Sequence, residues 1–261
     1  MCYDVVAHTK KKIDYAIKRG WDEKSIEQLK EALEGLDSDL LPFYKVSGFE
    51  HPKLLCFSGE ESIKAEALEW GLIPHWVENE PDAAKIQNQT LNARIESLHE
   101  KPSFREAFKN QRCIVMVDGF YEHFHKNGKR FPYLIQNQDE SPMILAGLWD
   151  ISLNAKGEEL KTVSIVTTKA NEFMAEIHNN PKLEEPRMPL ILHGDQVNDW
   201  LSNSDENELK QLQQGLIIPN EEIQLISHPV RPLKGKAALK NDDVKVLEPI
   251  AYPELQKGLF D

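Results

Sequence analysis

Residues 112–136 read RCIVMVDGFYEHFHKNGKRFPYLIQ, and this stretch decides the fold class. Arg112–Val117 is a short apolar run, the pattern of a strand buried on both faces. Residues 119–125 and 130–136 flank Lys126-Asn127-Gly128-Lys129, and Asn-Gly between two such runs is a strong hairpin signal, because a tight hairpin turn needs positive φ at both central residues. Asp118-Gly119 joins the first run to the second. Working outward, residues 143–151 and 160–168 flank 154–159 as a second hairpin. Residues 54–57 and 65–72 read as strands, the latter closed by Pro74, and later strands are expected at 188–192, 223–227 and 244–247. Helices are expected at 22–35, with Asp22 as cap, and at 170–177, 195–201 and 206–214. Another starts at 103–108, where Ser103 and Glu106 have capping-box spacing. Residues 36–53 read as loop with short extended pieces. Helices and strands are interspersed without regular alternation, so the class is α+β with a mainly antiparallel sheet. No composition break or Gly/Ser linker divides residues 1–261, which predicts a single domain.

The chain is 40% hydrophobic and 28% charged, ordinary for a soluble globular protein. Three cysteines, Cys2, Cys56 and Cys113, are too few and odd in number for a disulfide framework and favour a reducing compartment. No apolar run approaches the ~18 residues that span a bilayer, and MCYDVVAHTKKK lacks the apolar stretch of a signal peptide. The expectation is no membrane association and a cytoplasmic location, nucleoid-associated in a prokaryote.

The charge balance is acidic, 31 Lys+Arg against 43 Asp+Glu for a net of −12, which taken alone disfavours a nucleic-acid partner. The average hides a split. Between Lys85 and Arg130 nine basic residues stand against five acids, a local +4, and the remainder carries −16. Residues 228–240 add Arg231, Lys234, Lys236 and Lys240 without an acid. Solvated loops explain this, and so does one anion-facing surface on an acidic body.

Four constellations bear on chemistry. The first is Cys2. A small residue at position 2 permits removal of Met1, leaving an α-amine beside a thiol. An amine of pKa ~7.7–8.0 is partly neutral near physiological pH, and a thiol near ~8.5 is partly thiolate. Together they trap an aldehyde, the amine as an imine and the thiol by closing a thiazolidine. The alternative is a small buried hydrophobe. The second is Asn92-Ala-Arg94-Ile-Glu96, which offers an amide donor and acceptor and a planar guanidinium suited to phosphate. Alone it is a weak signal. The third is Asp118-Gly-Phe-Tyr-Glu122, where a carboxylate among Tyr121, His123 and Phe124 is either partly desolvated and suited to proton shuttling or a surface residue of an amphipathic strand. The fourth is His178, at the end of the 170–177 helix, a helix cap or an acid–base group. No CxxC or HExxH spacing points to a metal. No GxSxG, P-loop or GxGxxG is present.

Taken together these segments resemble the SRAP family (SOS response-associated peptidase), whose members are also described as abasic-site crosslinking proteins. The resemblance runs in order through Met1-Cys2, WGLIPHW at 70–76, NARIE at 92–96, KPSFR at 101–105 with Arg112-Cys113, DGFYE at 118–122, AGLW at 146–149, Thr167-Thr168 with Ala170-Asn171, Ile177-His178 and Arg187-Met188-Pro189. It covers most of residues 1–192. There are departures. Tyr3-Asp4 stands where the family has Gly-Arg, His123 where Trp is usual, and Met116-Val117 where a Pro-containing turn is usual. Residues 8–53 are longer than in a minimal member. Residues 179–186 separate His178 from Arg187, which makes His193 the fallback for His178.

The resemblance implies one SRAP-like α+β domain with a curved, mainly antiparallel sheet and flanking helices. It implies a sensor of abasic sites in single-stranded DNA that forms a thiazolidine crosslink through Cys2 and shields the lesion. Cys2, Asn92, Glu122 and His178 would be catalytic. Arg94, Arg105, Arg112, Arg187, Trp70 and Trp76 would hold DNA, with core packing an equal alternative for the two tryptophans. No metal or organic cofactor is required. Two other functions stay open: a cysteine peptidase with Cys2 as N-terminal nucleophile, and a non-catalytic reader of modified DNA bases.

Overall fold

The computed structural model describes residues 2–7, 43–59, 64–154, 156–202, 204–217 and 223–256. Its strands, in chain order, are β1 (Asp4–Ala7), β2 (Phe43–Ser47), β3 (Lys53–Ser58), β4 (Lys64–Trp70), β5 (Asn92–Arg94), β6 (Arg112–Val117), β7 (Gly119–Lys126), β8 (Lys129–Asn137), β9 (Met143–Leu153), β10 (Glu159–Lys169), β11 (Arg187–Pro189) and β12 (Leu225–Pro229). The helices are α1 (Glu80–Gln89), α2 (Arg105–Asn110), α3 (Glu172–Ile177), α4 (Asp195–Leu201), α5 (Glu206–Ile217) and α6 (Pro253–Gln256).

The run at 112–136 is one path through two sheets, bent at Asp118-Gly119. A Cβ on Gly119 would stand 2.7 Å from the Ile135 carbonyl oxygen, so no side chain fits at the bend. Before it, β6 belongs to a ring in the order β10-β4-β3-β6-β9, closed because β9 pairs back onto β10. These pairings are antiparallel except β4 with β10, which run parallel where Glu69 meets Thr162 and Trp70 meets Val163. After the bend, β7 enters a second sheet in the order β12-β8-β7-β1-β2. The Asn127-Gly128 turn has φ of 51° and 73°, as its sequence predicts.

The unbroken apolar character of β6 follows from its two buried faces. Cys113, Val115 and Val117 join a cluster with Leu54, Trp70, Leu145 and Val163. Ile114 and Met116 point the other way and pack with Phe108, Trp200 and Leu209 of the helices. Trp200 fixes α4 to this face by donating from Nε1 to the Cys113 carbonyl, 2.9 Å.

The α+β class and the two expected hairpins are present. Three local expectations are corrected, and one helix appears where none was expected. Residues 244–247 form a 3-10 turn, not a strand: the Asp243 side chain accepts the Lys245 N–H and starts the turn. The Ser103–Glu106 capping box is not made. The chain enters α2 from a preceding turn, and Lys101 O accepts the N–H groups of Phe104 and Arg105 at 2.9 and 3.0 Å. Helix α1 was unexpected because its apolar residues are small and sparse, but Asn79 caps it by accepting from Asp82 N at 3.0 Å. The strand expected at 188–192 is shortened to Arg187–Pro189, with an isolated bridge from Ile191 to Leu145. The helix expected at 22–35 lies outside the described residues. Among those described, no helix is long and apolar enough to cross a membrane.

Candidate active site

Main-chain pairing delivers Cys2. β1 lies between β7 and β2, with Asp4 opposite both Tyr121 and Ser47. That register carries the residues before Asp4 toward Glu122, whose charge acts on both Cys2 and Tyr3. Gly48 N–H donates to Tyr3 O at 2.7 Å and holds the segment down. Cys2 is 1% exposed and packs in the ring cluster, so it is both a buried small residue and a neighbour of the carboxylate. Burial, and then the Glu122 charge, push its thiol far above the ordinary 9.0. Burial thus favours the protonated thiol over the thiolate.

Asn92 reaches the same residue from the other sheet. Asn92 stands on a short strand, β5, parallel to β10 with Asn92 opposite Ile165. α5 supports it through a hydrogen bond from Gln213 Nε2 to Ile95 O. Asn92 Nδ2 donates to the Cys2 carbonyl at 2.8 Å. Its Oδ1 is buried without a hydrogen-bond partner among the described residues.

Glu122 and His178 form a pair. Glu122 is 8% exposed and His178 4%, with Glu122 Oε2 3.6 Å from His178 Nε2. Glu122 Oε1 accepts from His123 N at 2.9 Å. His178 ends α3, its N–H bonded to Met174 O at 2.8 Å. The ring Nδ1 lies 2.7 Å from Arg187 O and 3.1 Å from Arg187 N. One tautomer donates to the carbonyl and the other accepts from the amide. A proton can therefore pass at Nε2 without turning the ring. Burial holds His178 below the ordinary 6.5, with Glu122 pulling in the opposite direction. The 179–186 segment leaves and returns so that the Arg187 main chain still meets the ring. His193, the fallback, is exposed, with Asp139 as its charged neighbour.

The DNA-contact candidates divide. Arg94 is exposed and lines a cleft of ≈ 320 Å³ with His178 and Lys182. Trp76 is 47% exposed, and the Arg105 side chain is 54% exposed, 3.6 Å from Glu106. Three others have structural work: Trp70 and Arg112 are corrected as DNA contacts, while Arg187 also lines the smaller cleft. Trp70 is fully buried and donates to Leu91 O at 2.8 Å. Arg112 is buried and donates to Trp200 O at 2.7 Å, Phe108 O at 2.6 Å, Lys109 O at 2.9 Å and Ser202 O. Arg187 is buried and grips Glu96 at 3.1 and 2.8 Å, Glu185 at 3.0 Å and Thr167 O at 2.9 Å.

A second, larger cleft of ≈ 640 Å³ was not anticipated as a unit. Glu122, Tyr3, Phe49, Lys129, Arg130 and Lys234 are among its lining. Tyr3 and Phe49 have ring centroids 5.2 Å apart, and Lys234 Nζ lies 6.0 Å from the Phe49 ring. The cleft unites cations from the two basic stretches seen in the sequence. The Tyr3–Phe49 pair had no signal there. Glu122 lines this cleft and His178 the smaller one, so the pair stands between them.

The family model for SOS response associated peptidase (SRAP) matches residues 6–236. The chain belongs to the SRAP family. Among SRAP relatives, the abasic site processing protein YoqW of Bacillus subtilis is 35% identical over 176 residues, 66% of this chain and 73% of its own. The abasic site processing protein YoaM of the same organism is 31% identical over 208 residues, 79% of this chain and 85% of its own. A crystal structure of a Bacteroides thetaiotaomicron protein superposes with a TM-score of 0.77 at 30% identity, covering 96% of this chain and 100% of that one.

Proposed function

We propose that this SRAP chain processes abasic sites in single-stranded DNA by capturing the ring-opened sugar aldehyde at Cys2, after removal of Met1. The observation that carries the reading is the convergence on Cys2: Asn92 Nδ2 holds its carbonyl at 2.8 Å, and the buried Glu122–His178 pair lies alongside. The names of the relatives YoqW and YoaM support the substrate class.

The steps balance without a cofactor. The neutral α-amine adds to the aldehyde carbon, and a proton moves from nitrogen to the new carbinolamine oxygen. A second proton lets that oxygen leave as water, and the nitrogen gives back its remaining proton to leave an imine. Cys2 Sγ then adds to the imine carbon, its proton ends on nitrogen, and a thiazolidine closes. Glu122 and His178 are placed to accept and return these protons, a role worth typically ~10²–10⁴-fold. Asn92 Oδ1 offers the amine an acceptor. Cys2 Sγ gives up its proton as it adds, and the Glu122–His178 pair lies alongside to carry that proton to the nitrogen.

The larger cleft supports the strand. Tyr3 and Phe49 offer faces on which bases stack, worth ~1–3 kcal/mol per base, and Lys129, Arg130 and Lys234 offer charge to phosphates. Incubation with a single-stranded oligonucleotide bearing one abasic site should give a heat-stable slower band on a denaturing gel. No band from protein beginning at Cys2 would overturn the reading.

A further inference from the structure

We propose that Asn179 is a positioning residue: its side-chain amide clamps the strand carrying Glu122 to the helix end carrying His178, and thereby sets the separation of the acid–base pair. Asn179 Oδ1 accepts from His125 N at 2.6 Å, and Nδ2 donates to His125 O at 3.0 Å. His125 lies three residues beyond Glu122 on β7. β8 pairs with β7 as far as Lys126, whereas the β1 register on the opposite edge covers Gly119 to Tyr121. Past Tyr121, Asn179 takes the place of a strand partner and satisfies both main-chain groups of His125.

The clamp completes a frame. The His178 ring is fixed on one side by the main chain of Arg187. The 179–186 loop is closed at its base by Ala170 N donating to Pro186 O at 3.1 Å. Asn179, the next residue after His178, supplies two bonds to the strand of Glu122. The Glu122–His178 contact of 3.6 Å is longer than a hydrogen bond and tightens or breaks with small shifts. A misplacement of ~1 Å can cost about 10²-fold in rate.

The inference rests on the proposed acid–base role of the pair, so its test has one arm independent of activity. Asn179→Ala and Asn179→Gln are made in the full chain. The crosslinking rate is measured at saturating abasic single-stranded DNA, and the His178 ring is titrated by NMR. Asn179→Ala should react about 10- to 100-fold slower with unchanged DNA affinity. Its His178, with the frame of Glu122 and His125 on β7 and Arg187 on β11 loosened and water admitted, should titrate closer to 6.5, because burial is the largest influence on the ring while the weakened Glu122 and N-terminal charges oppose one another. Asn179→Gln keeps the amide one methylene further out and should restore part of both, and it carries the test if the alanine variant does not fold. A parental rate and a parental His178 titration in both variants overturn the proposal. If the parent makes no adduct, the functional reading fails while the titration still decides: a moved His178 upholds the clamp, and an unmoved one overturns it.

Discussion

Glu122 Oε2 and His178 Nε2 stand 3.6 Å apart, one facing the larger cleft and the other the smaller. A pair in this position reaches a reacting group from either side, and its members act as a unit. Glu122→Gln and His178→Ala should each slow crosslinking by ~10²–10⁴-fold. The double variant should be little worse than the slower single one, because residues that act together are non-additive. Rates at saturating DNA across pH 5–9 check this. Parental rates in both single variants would remove the pair from the mechanism.

Asn92 should matter for rate more than for binding. Asn92→Ala removes the donor to the Cys2 carbonyl and the open acceptor beside it. Loss of one orienting group costs on the order of 10²-fold when the reacting geometry depends on it. Single-turnover rates against abasic DNA, with affinity measured separately by anisotropy, separate the two effects. A variant with parental rate and weaker binding would make Asn92 a DNA contact.

The basic residues should divide by their environment. Arg94→Ala and Lys234→Ala should weaken single-stranded DNA binding and flatten its salt dependence, as expected for phosphate contacts. Arg112→Ala should leave that slope unchanged and lower stability by about 3 kcal/mol or more, because four main-chain acceptors lose their donor. Urea midpoints and salt titrations of the three variants decide it. A reduced salt slope in Arg112→Ala would contradict the structural role.

Much of this was legible beforehand. The strand–Asp-Gly–strand–Asn-Gly–strand run fixed its own register because the bend and turn residues are chemically specific. Cys2, Asn92, Glu122 and His178 were legible only as a set, through the family resemblance. Residue type alone could not separate Arg94 from Arg112 and Arg187. All three are guanidinium groups near polar chain, and only packing sends two of them inward to carbonyls and carboxylates. The Tyr3–Phe49 pair was hidden for a similar reason. It joins β1 to the turn after β2 across a long sequence gap, and no local pattern encodes that contact.

Alkaline pH should destabilise the fold. Burial holds the thiols of Cys2 and Cys113 above their ordinary 9.0 and the Tyr121 hydroxyl above 10.0. Above about pH 9 the unfolded chain releases protons that the folded chain keeps. Stability is therefore full below that pH and falls as pH rises, by about 1.4 kcal/mol per pH unit for each fully shifted group. Urea unfolding at pH 8 and pH 10 measures the drop. Cys2→Ala should shrink it, and an unchanged midpoint would contradict the burial of these groups.

The central claim is that the Cys2 amine and thiol together capture the lesion. The most direct measurement is intact mass of the untagged protein after incubation with an abasic single-stranded oligonucleotide, beside Cys2→Ala. The account predicts loss of Met1, then a heat-stable adduct equal to protein plus DNA less one water. Cys2→Ala should give a species that survives only after reduction. Met1 retained throughout, or a full yield of heat-stable adduct from Cys2→Ala without reductant, would contradict it.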